Sequence, residues 1–226
     1  MGDVEQTKRR VATEAIQEVE DGMVIGLGSG STSAYAIRAL GSRVNDGLDI
    51  VGVPTSHQAA QEARRAEVPV RCLEDVSSID VAIDGADQVA GFDLIKGGGG
   101  AHTREKLVDS TADRFLVLVD DSKLTPTLDK AIPLEVLPDA VSVVEAHVHR
   151  HGGSPDLRMS NETLGPAITD NGNFVVDCAF GTLSDPFETR DVLSRIPGVV
   201  EHGLFLDMAD AIYVGSAEGV SVNERT

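Results

Sequence analysis

The chain has 226 residues, which predicts one domain or a large domain with a smaller second one, and enough length to bury a core without staples. Aromatic residues make up only 4% and Trp is missing from the sequence, so the core must be aliphatic. The formal net charge of −18 argues against nucleic-acid and anionic-membrane partners, because phosphate contacts need clustered Lys and Arg.

The first half of the chain alternates predicted strands with predicted helices. The strands are expected at 23–27, 50–53, 68–72, 79–83, 92–95 and 115–119, and the helices at 4–20, 33–40, 57–66 and 103–112. This alternation indicates an α/β fold, a Rossmann-like, doubly wound and mostly parallel sheet with helices on both faces.

The pattern changes near Lys130. From there it predicts a strand at 133–138, a helix at 141–151, strands at 157–159 and 174–178, a helix at 186–196 and a strand at 199–206. This β-α-β-β-α-β order is typical of a ferredoxin-like α+β domain. We therefore predict a Rossmann-like catalytic domain over 1–129 and 207–226, which a last strand at 211–214 rejoins, and an inserted lid or oligomerisation domain over 130–206.

Cysteine usage and the N-terminal segment bear on location. Cys72 and Cys178 do not form a Cys-x-x-Cys pair, which excludes a thiolate zinc site, and both are expected to be small buried residues in a reducing cytoplasm. Segment 1–20 is charged and lacks the apolar region of a signal peptide, and no apolar run approaches the roughly 20 residues that span a bilayer.

The acidic residues are spread along the whole chain instead of forming a tail. A dispersed acidic excess predicts a solvated surface typical of proteins from salt-rich, halophilic cytoplasm, where salt screens self-repulsion. The alternative is an ordinary acidic protein. Only five of the 19 basic residues are Lys, so lysines near polar motifs stand out.

Three polar loops, 28–32, 84–87 and 96–105, follow predicted strands, and ligands of open α/β sheets bind at the carboxyl ends of strands. The first loop, Gly28-Ser29-Gly30-Ser31-Thr32, precedes a helix whose first N–H groups form an anion seat. It lacks the third glycine of a dinucleotide site and suits a small phosphate. The alternative is a plain helix cap.

The other two loops carry charged side chains. Asp84 and Asp87 suit sugar hydroxyls or proton transfer better than a metal, because no His stands beside them; the alternative is a plain turn. Lys96 precedes four glycines, which suit a backbone that approaches a ligand closely, or a flexible hinge. Glu105 follows in the first turn of a helix, as a carboxylate base paired with the Lys96 cation, or as simple compensation of the helix dipole.

Together these motifs resemble the type A ribose-5-phosphate isomerase family. The stretches that carry the resemblance are GLGSGST (26–32), DGAD (84–87), KGGGGAHTREK (96–106), DDSK (120–123), TDNGN (169–173), IPGVVEHGLF (196–205) and ADAIYVG (209–215). The resemblance implies the same two-domain fold, and interconversion of D-ribose 5-phosphate and D-ribulose 5-phosphate in the non-oxidative pentose phosphate pathway. It also implies no metal or other cofactor, and a homodimer or homotetramer. Residues 158–166 fit the family less well.

The resemblance also implies roles for the candidate residues. Glu105 matches the base that moves a proton between C2 and C1 through a cis-enediolate. Lys96, with the N–H groups of Gly97, Gly98 and Gly99, matches the stabiliser of the oxyanion. Asp84 and Asp87 match groups that bind sugar hydroxyls, one of which helps to open the furanose ring. The remaining substrate contacts implied are Gly85, Ala86, Ser29, Gly30, Ser31, Thr32, Lys123 and Lys8, with Ser31, Thr32 and Lys8 near the phosphate.

Two other function classes stay open at this stage. An NAD-dependent oxidoreductase would need a glycine where Ser33 stands. A non-enzymatic sugar-phosphate sensor would need a DNA-binding segment, and no basic helix-turn-helix pattern is found. An amino-sugar phosphate deaminase or a CoA transferase on a similar fold would need different loop residues.

Overall fold

The computed structural model describes residues 2–161 and 164–225. Its strands are β1 (Val24–Leu27), β2 (Val51–Pro54), β3 (Ile79–Gly85), β4 (Gln88–Ala90), β5 (Asp93–Ile95), β6 (Ala112–Asp120), β7 (Ile132–Val136), β8 (Ser154–Leu157), β9 (Phe174–Ala179), β10 (Val199–His202), β11 (Leu204–Phe205), β12 (Ala211–Gly215) and β13 (Val220–Glu224). Its α-helices are α1 (Gly2–Ala15), α2 (Ser31–Asn45), α3 (His57–Arg65), α4 (His102–Asp109), α5 (Val141–Arg150) and α6 (Pro186–Leu193).

The chain forms two compact units. The first comprises Met1–Ala86, Arg104–Leu124 and Asp207–Thr226, and the second comprises Asp87–Thr103 and Thr125–Leu206. Residues 87–103 therefore group with the second unit, because their strands β4 and β5 pair with β11 there. Residues 125–129 group with it as well. The predicted lid or oligomerisation domain over residues 130–206 stays a prediction.

The first unit contains a six-stranded sheet in the order β13-β12-β6-β3-β1-β2. All its neighbouring strands run parallel except β12 and β13. The Rossmann-like α/β prediction is confirmed. The predicted strand at 68–72 is wrong: Val70 forms only an isolated bridge to Gly52, since Pro69 has no N–H to donate to a ladder on edge strand β2.

The core of the first unit is aliphatic, as the composition demands. Strand β6 is buried continuously over Phe115–Val119, as expected for a parallel strand covered on both faces. Helices α1, α2 and α3 add Val11, Leu40 and Ala63 to the same cluster. Fully burying a Leu or Ile side chain stabilises a fold by about 1.5–3 kcal/mol, so this cluster holds the strand ends in place.

The second unit holds an antiparallel sheet in the order β10-β7-β9-β8 and a small sheet in the order β11-β5-β4. Strands β7 to β10 with α5 and α6 form β-α-β-β-α-β, the predicted ferredoxin-like order. The predicted strand at 199–206 divides at Gly203 between two sheets, and a Cβ there would lie 2.2 Å from the Lys96 carbonyl oxygen. The strand expected at 157–159 lies at Ser154–Leu157.

Glu135 on β7 is fully buried in the second unit and accepts several hydrogen bonds. Its Oε1 lies 2.9 Å from Thr169 Oγ1, 3.0 Å from Asn171 Nδ2 and 2.7 Å from Asn173 Nδ2. Burial raises the pKa of this carboxyl group, but the polar side chains of Thr103, Asn173, Asn171 and Thr169 outweigh it, and the net shift is downward. The TDNGN motif thus surrounds a buried carboxylate.

We expect the protein to lose stability in acid below about pH 4.5, the ordinary glutamate pKa. Burial raises the pKa of Glu135, Glu18 and Glu62. Hydrogen bonds lower it by more, helped by arginine charges at Glu18 and Glu62, so the net pKa shift of all three is downward. A lowered folded-state pKa contributes stability that is present above the unfolded value and lost as pH falls through the folded one. Denaturant unfolding at fixed salt between pH 7 and 3 measures this loss.

The control for the acid prediction is Glu135→Gln. This variant is expected to lose about 1–3 kcal/mol at pH 7, because an NH₂ group replaces one carboxylate oxygen beside three side-chain donors. It should also show a shallower pH dependence than the original chain. An unfolding free energy that stays flat down to pH 3, or an unchanged slope in the variant, contradicts it.

The cysteines divide into one exposed and one buried thiol. Cys72 is exposed, so the prediction that it is buried is wrong: the segment expected to form its strand lies at the surface. Cys178 on β9 is buried as predicted, and that burial raises its thiol pKa to about 12. Within the described residues, no helix has the length and apolar character to cross a membrane.

Candidate active site

The loop after β1 approaches the end of β3 closely. Gly28 N donates to Ile83 O at 3.0 Å, and a Cβ at position 28 would lie 2.1 Å from Asp84 Oδ1. Any side chain here would have to displace the carboxylate. Glycine at this position is therefore required by a close approach between two strand ends, which the sequence pattern alone could not show.

Asp84 is fully buried, and its carboxylate ties this loop to β3. Asp84 Oδ1 accepts from Ser29 N at 3.0 Å, Ser33 Oγ at 3.0 Å and Gly85 N at 2.7 Å. Three donors on one oxygen fix the orientation of the carboxyl group and of the loop that carries Ser29. The group predicted to bind sugar hydroxyls is thus also the anchor of the loop predicted to bind phosphate.

The N-terminus of helix α2 carries positive electrostatic potential. Its N-cap Gly30 has φ 92°, in the left-handed region that favours glycine, and supplies no side-chain cap to the first helical turn. Lys8 Nζ from α1 donates to Ser31 Oγ at 2.8 Å. A helix N-terminus with an ammonium beside it attracts an anion. The phosphate site predicted here, with Ser31 and Thr32 in the first helical turn, stays a prediction.

Side chains from the loop between β2 and α3 and from the first turn of α3 contact Ser29 and Gly30, which the sequence did not predict. Ser29 Oγ lies 2.8 Å from Thr55 Oγ1 and 2.6 Å from Ser56 Oγ. Gly30 N donates to Gln58 Oε1 at 2.8 Å. Ser56 also caps α3 by accepting from Ala59 N, a role that its position before a helix indicates in the sequence.

The first unit also holds Glu105 and Lys123. Glu105 lies in the first turn of α4, and only 6% of it is exposed. Lys123 is half-buried in the short turn that follows β6, where Asp120 Oδ1 accepts from Ser122 N at 3.1 Å. Gly85 ends β3 and is followed by Ala86. The first unit therefore contains every predicted site residue except Asp87 and residues 96–99, which belong to the second unit.

The second unit buries Lys96, which is only 2% exposed. Its Nζ lies 5.3 Å from the centre of the Phe205 ring, within range of a cation–π interaction. Its backbone N donates to Gly203 O at 2.9 Å. A buried ammonium is costly to desolvate and is retained where a negative charge must be stabilised.

The glycine loop after Lys96 holds Asp87 in the same unit. Gly98 N donates to Asp87 Oδ2 at 2.7 Å, and a Cβ at Gly98 would lie 2.7 Å from the other carboxylate oxygen. Gly97 has φ 106° and Gly100 has φ 73°, so the loop needs glycine to turn. The Gly98 N–H, predicted to face the oxyanion, is therefore donated to Asp87 in this structure.

Comparison with known proteins decides the family. The family model "Ribose 5-phosphate isomerase A (phosphoriboisomerase A)" matches residues 51–219, well over half of the chain. The chain belongs to the ribose 5-phosphate isomerase A family. It is therefore an isomerase of ribose 5-phosphate, and the oxidoreductase and sensor alternatives are set aside.

Relatives and solved structures of the isomerase family match along the whole chain. Ribose-5-phosphate isomerase A of Natronomonas pharaonis is 58% identical, covering 98% of both chains, and that of Haloarcula marismortui is 53% identical, covering 98% of this chain and 96% of the relative. The structure of the Methanocaldococcus jannaschii isomerase aligns with a TM-score of 0.94 at 44% identity, covering 98% of this chain and 99% of that one. Halophilic relatives agree with the acidic composition.

A ligand-bound family structure is similar as well. A D-ribose-5-phosphate isomerase in complex with phospho-erythronic acid aligns with a TM-score of 0.96 at 45% identity, covering 98% of this chain and 99% of that chain. The residues that bind substrate in this isomerase stay a prediction.

Two basic side chains that the sequence did not single out contact candidate site residues of the second unit. Lys130 Nζ donates to Asp87 O at 2.7 Å. Arg158 Nη1 donates to Gly97 O and Gly98 O, both at 3.0 Å. Both contacts reach backbone carbonyls across at least 40 residues of chain, and no local motif encodes such a pairing.

Proposed function

We propose that this isomerase interconverts D-ribose 5-phosphate and D-ribulose 5-phosphate with Glu105 as the proton-transferring base. The observation that carries the assignment is a carboxylate only 6% exposed in the first turn of α4, in the TREK sequence that resembles the family's base. In the open-chain aldose, Glu105 removes the C2 proton and later returns it to C1. The C1 oxygen gains the negative charge, and a proton moves from O2 to O1 as the ketose forms.

Lys96 supports the charged intermediate in this proposal. When C2 loses its proton, the electron pair moves into a C1–C2 double bond and the C1 oxygen becomes an enediolate oxyanion. A buried ammonium in a low-dielectric environment stabilises that charge far more than it would in water. The amides of Gly97 and Gly99 would add donors, whereas Gly98 N already donates to Asp87.

The remaining residues bind the substrate. We assign the phosphate to the first turn of α2, with Ser31, Thr32 and Lys8, because a helix N-terminus and an ammonium meet there. Binding energy from this remote phosphate can be used to orient the reacting end. The residues proposed to contact sugar hydroxyls are Asp84, Gly85, Ala86, Asp87, Ser29, Gly30 and Lys123, with one of the two aspartates assisting ring opening.

The test is a turnover assay with D-ribose 5-phosphate in about 2 M KCl, where the screening length is only a few ångström. Ketose formation is followed with and without a chelator. We expect turnover that the chelator leaves unchanged, because every proposed role is filled by a protein side chain or amide. No turnover at any salt concentration would reject the proposed reaction, and loss on chelation would reject the metal-free mechanism.

We expect activity to rise with salt between about 0.1 and 2 M KCl. The net charge of −18 repels a dianionic sugar phosphate, and the Debye length falls from about 10 Å at 0.1 M to about 3 Å at 1 M. Both kcat/KM and the folded fraction by circular dichroism are measured at each salt concentration, so that screening is separated from folding. A flat or falling kcat/KM in folded protein would contradict the prediction.

We also infer a cytoplasmic location and a homo-oligomer, either a dimer or a tetramer. Two free cysteines, one of them exposed at position 72, suit a reducing compartment. Ile168 and Met159 in the second unit are large apolar residues that are more than half exposed, and a second copy could cover them. Light scattering at molar salt gives the mass, and a monomer would reject the oligomer.

A further inference from the structure

Arg158 makes an unusual set of contacts within the second unit. It follows β8 and opens the stretch 158–166, which fits the family less well. Its Nη1 donates to Gly97 O and Gly98 O at 3.0 Å each, while Nε and Nη2 donate to the two carboxylate oxygens of Asp177 at 2.8 and 2.5 Å. One guanidinium group thus links the glycine loop to β9.

The arginine is held rigidly on the side away from the loop. Its backbone N donates to Val175 O at 2.9 Å, and its carbonyl accepts from Ala167 N at 2.8 Å. The two-point ion pair with Asp177 fixes the plane of the guanidinium, since its fork matches a carboxylate. The Nη1 donors therefore point in a direction set by strands β8 and β9 of the second unit.

Because a peptide group is planar, fixing a carbonyl of the glycine loop also fixes the direction of the next N–H group. In a planar trans peptide, the carbonyl of one residue and the N–H of the next point in opposite directions. When Arg158 holds the Gly97 carbonyl, the Gly98 N–H faces the other way, where Asp87 Oδ2 accepts it at 2.7 Å. Holding the Gly98 carbonyl likewise turns the Gly99 N–H away from Arg158.

We propose that Arg158 is a positioning residue for the isomerisation, aligned by Asp177, which sets the orientation of the Gly98 and Gly99 amides and through Gly98 the carboxylate of Asp87. This inference rests on the proposed function of the glycine loop. Glycines leave the loop many other backbone conformations, so the orientation has to be imposed from outside the loop. Small misplacements of catalytic groups cost up to about 100-fold in rate.

The test compares Arg158→Met, Arg158→Lys and Asp177→Asn with a matched ion-pair control, Arg190→Met. Arg190 pairs with Asp191 at 2.7 Å on α6 of the same unit and lies over the ring of Phe187 on the same helix. We expect kcat to fall about 30- to 100-fold in Arg158→Met, with KM within about threefold. Arg158→Lys should recover little, because an ammonium lacks the planar fork, and Asp177→Asn should lose about 3- to 10-fold.

A second readout separates positioning from mere stability. Hydrogen–deuterium exchange should speed up in the peptide that covers residues 96–101 of Arg158→Met, while peptides of the six-stranded sheet and the melting temperature stay as in Arg190→Met. Activity of Arg158→Met within twofold of the control would overturn the proposal, as would a lost kcat with unchanged loop exchange. If that variant does not fold, Arg158→Lys and Asp177→Asn decide by the same criteria.

The outcome is distinguishable from failure of the proposed function. An inactive original chain rejects the isomerase reaction itself. An active original chain with fully active Arg158 variants rejects only the positioning role.

Discussion

Replacing Glu105 with Gln is expected to lower kcat about 1,000-fold, within the range that a general base contributes. The amide keeps the size of the side chain, which is only 6% exposed, but cannot take the C2 proton. Because phosphate and hydroxyl contacts do not depend on this group, KM should change by no more than a few-fold. Steady-state kinetics with D-ribose 5-phosphate measures both constants.

The control for this variant is Glu188→Gln. Glu188 also lies in the first turn of a helix, α6, but it is exposed and has no part in the proposed chemistry. Glu188→Gln therefore removes a negative charge from a first helical turn, as Glu105→Gln does, without removing the proposed base. We expect unchanged kinetics there and similar melting temperatures in both variants. If Glu105→Gln kept more than a tenth of the activity, the base would lie elsewhere, with Asp84 as the next candidate.

Replacing Lys96 with Met is expected to lower kcat by about 100- to 1,000-fold, the loss seen when one donor to an oxyanion is removed. Methionine keeps the length of the buried side chain and its packing against Phe205, so the fold should persist. The charge that develops on O1 then lacks its cation. Because this interaction is made in the transition state, kcat and kcat/KM should fall together.

Lys106→Met serves as the control for Lys96, since it removes a half-buried lysine from the last turn of α4. It should keep the original kcat. A Lys96 variant with a raised KM and an unchanged kcat would show that this lysine binds the ground state, and the oxyanion role would be dropped.

Much of the site was accessible from local sequence because its motifs follow predicted strands. The loop 28–32 and Asp84 lie at the ends of β1 and β3 in the parallel sheet of the first unit, as expected. Lys96 also follows a strand, but that strand, β5, belongs to the antiparallel sheet of the second unit. A glycine run and an acidic residue in the first turn of a helix can be recognised from local sequence, because backbone freedom and helix polarity depend on neighbouring residues.

Strands with weak local signals were missed for the opposite reason. Strand β13 is largely exposed and polar, and β4 has three residues, so neither shows a clear apolar pattern. Each is held by its partner, β12 or β5, through ladder hydrogen bonds. The same dependence on a partner explains why the predicted strand at 199–206 divides between two sheets at Gly203.

By itself, the sequence determined the aliphatic core, the alternation of strands and helices, the ferredoxin-like order and the family. Only the tertiary structure decided that Gly28 must leave room for Asp84, that Gly98 N donates to Asp87, and that Arg158 holds the glycine loop. Periodicity and turn chemistry act over a few residues. These hydrogen bonds instead join groups far apart in the chain, and their geometry exists only after the strands have paired.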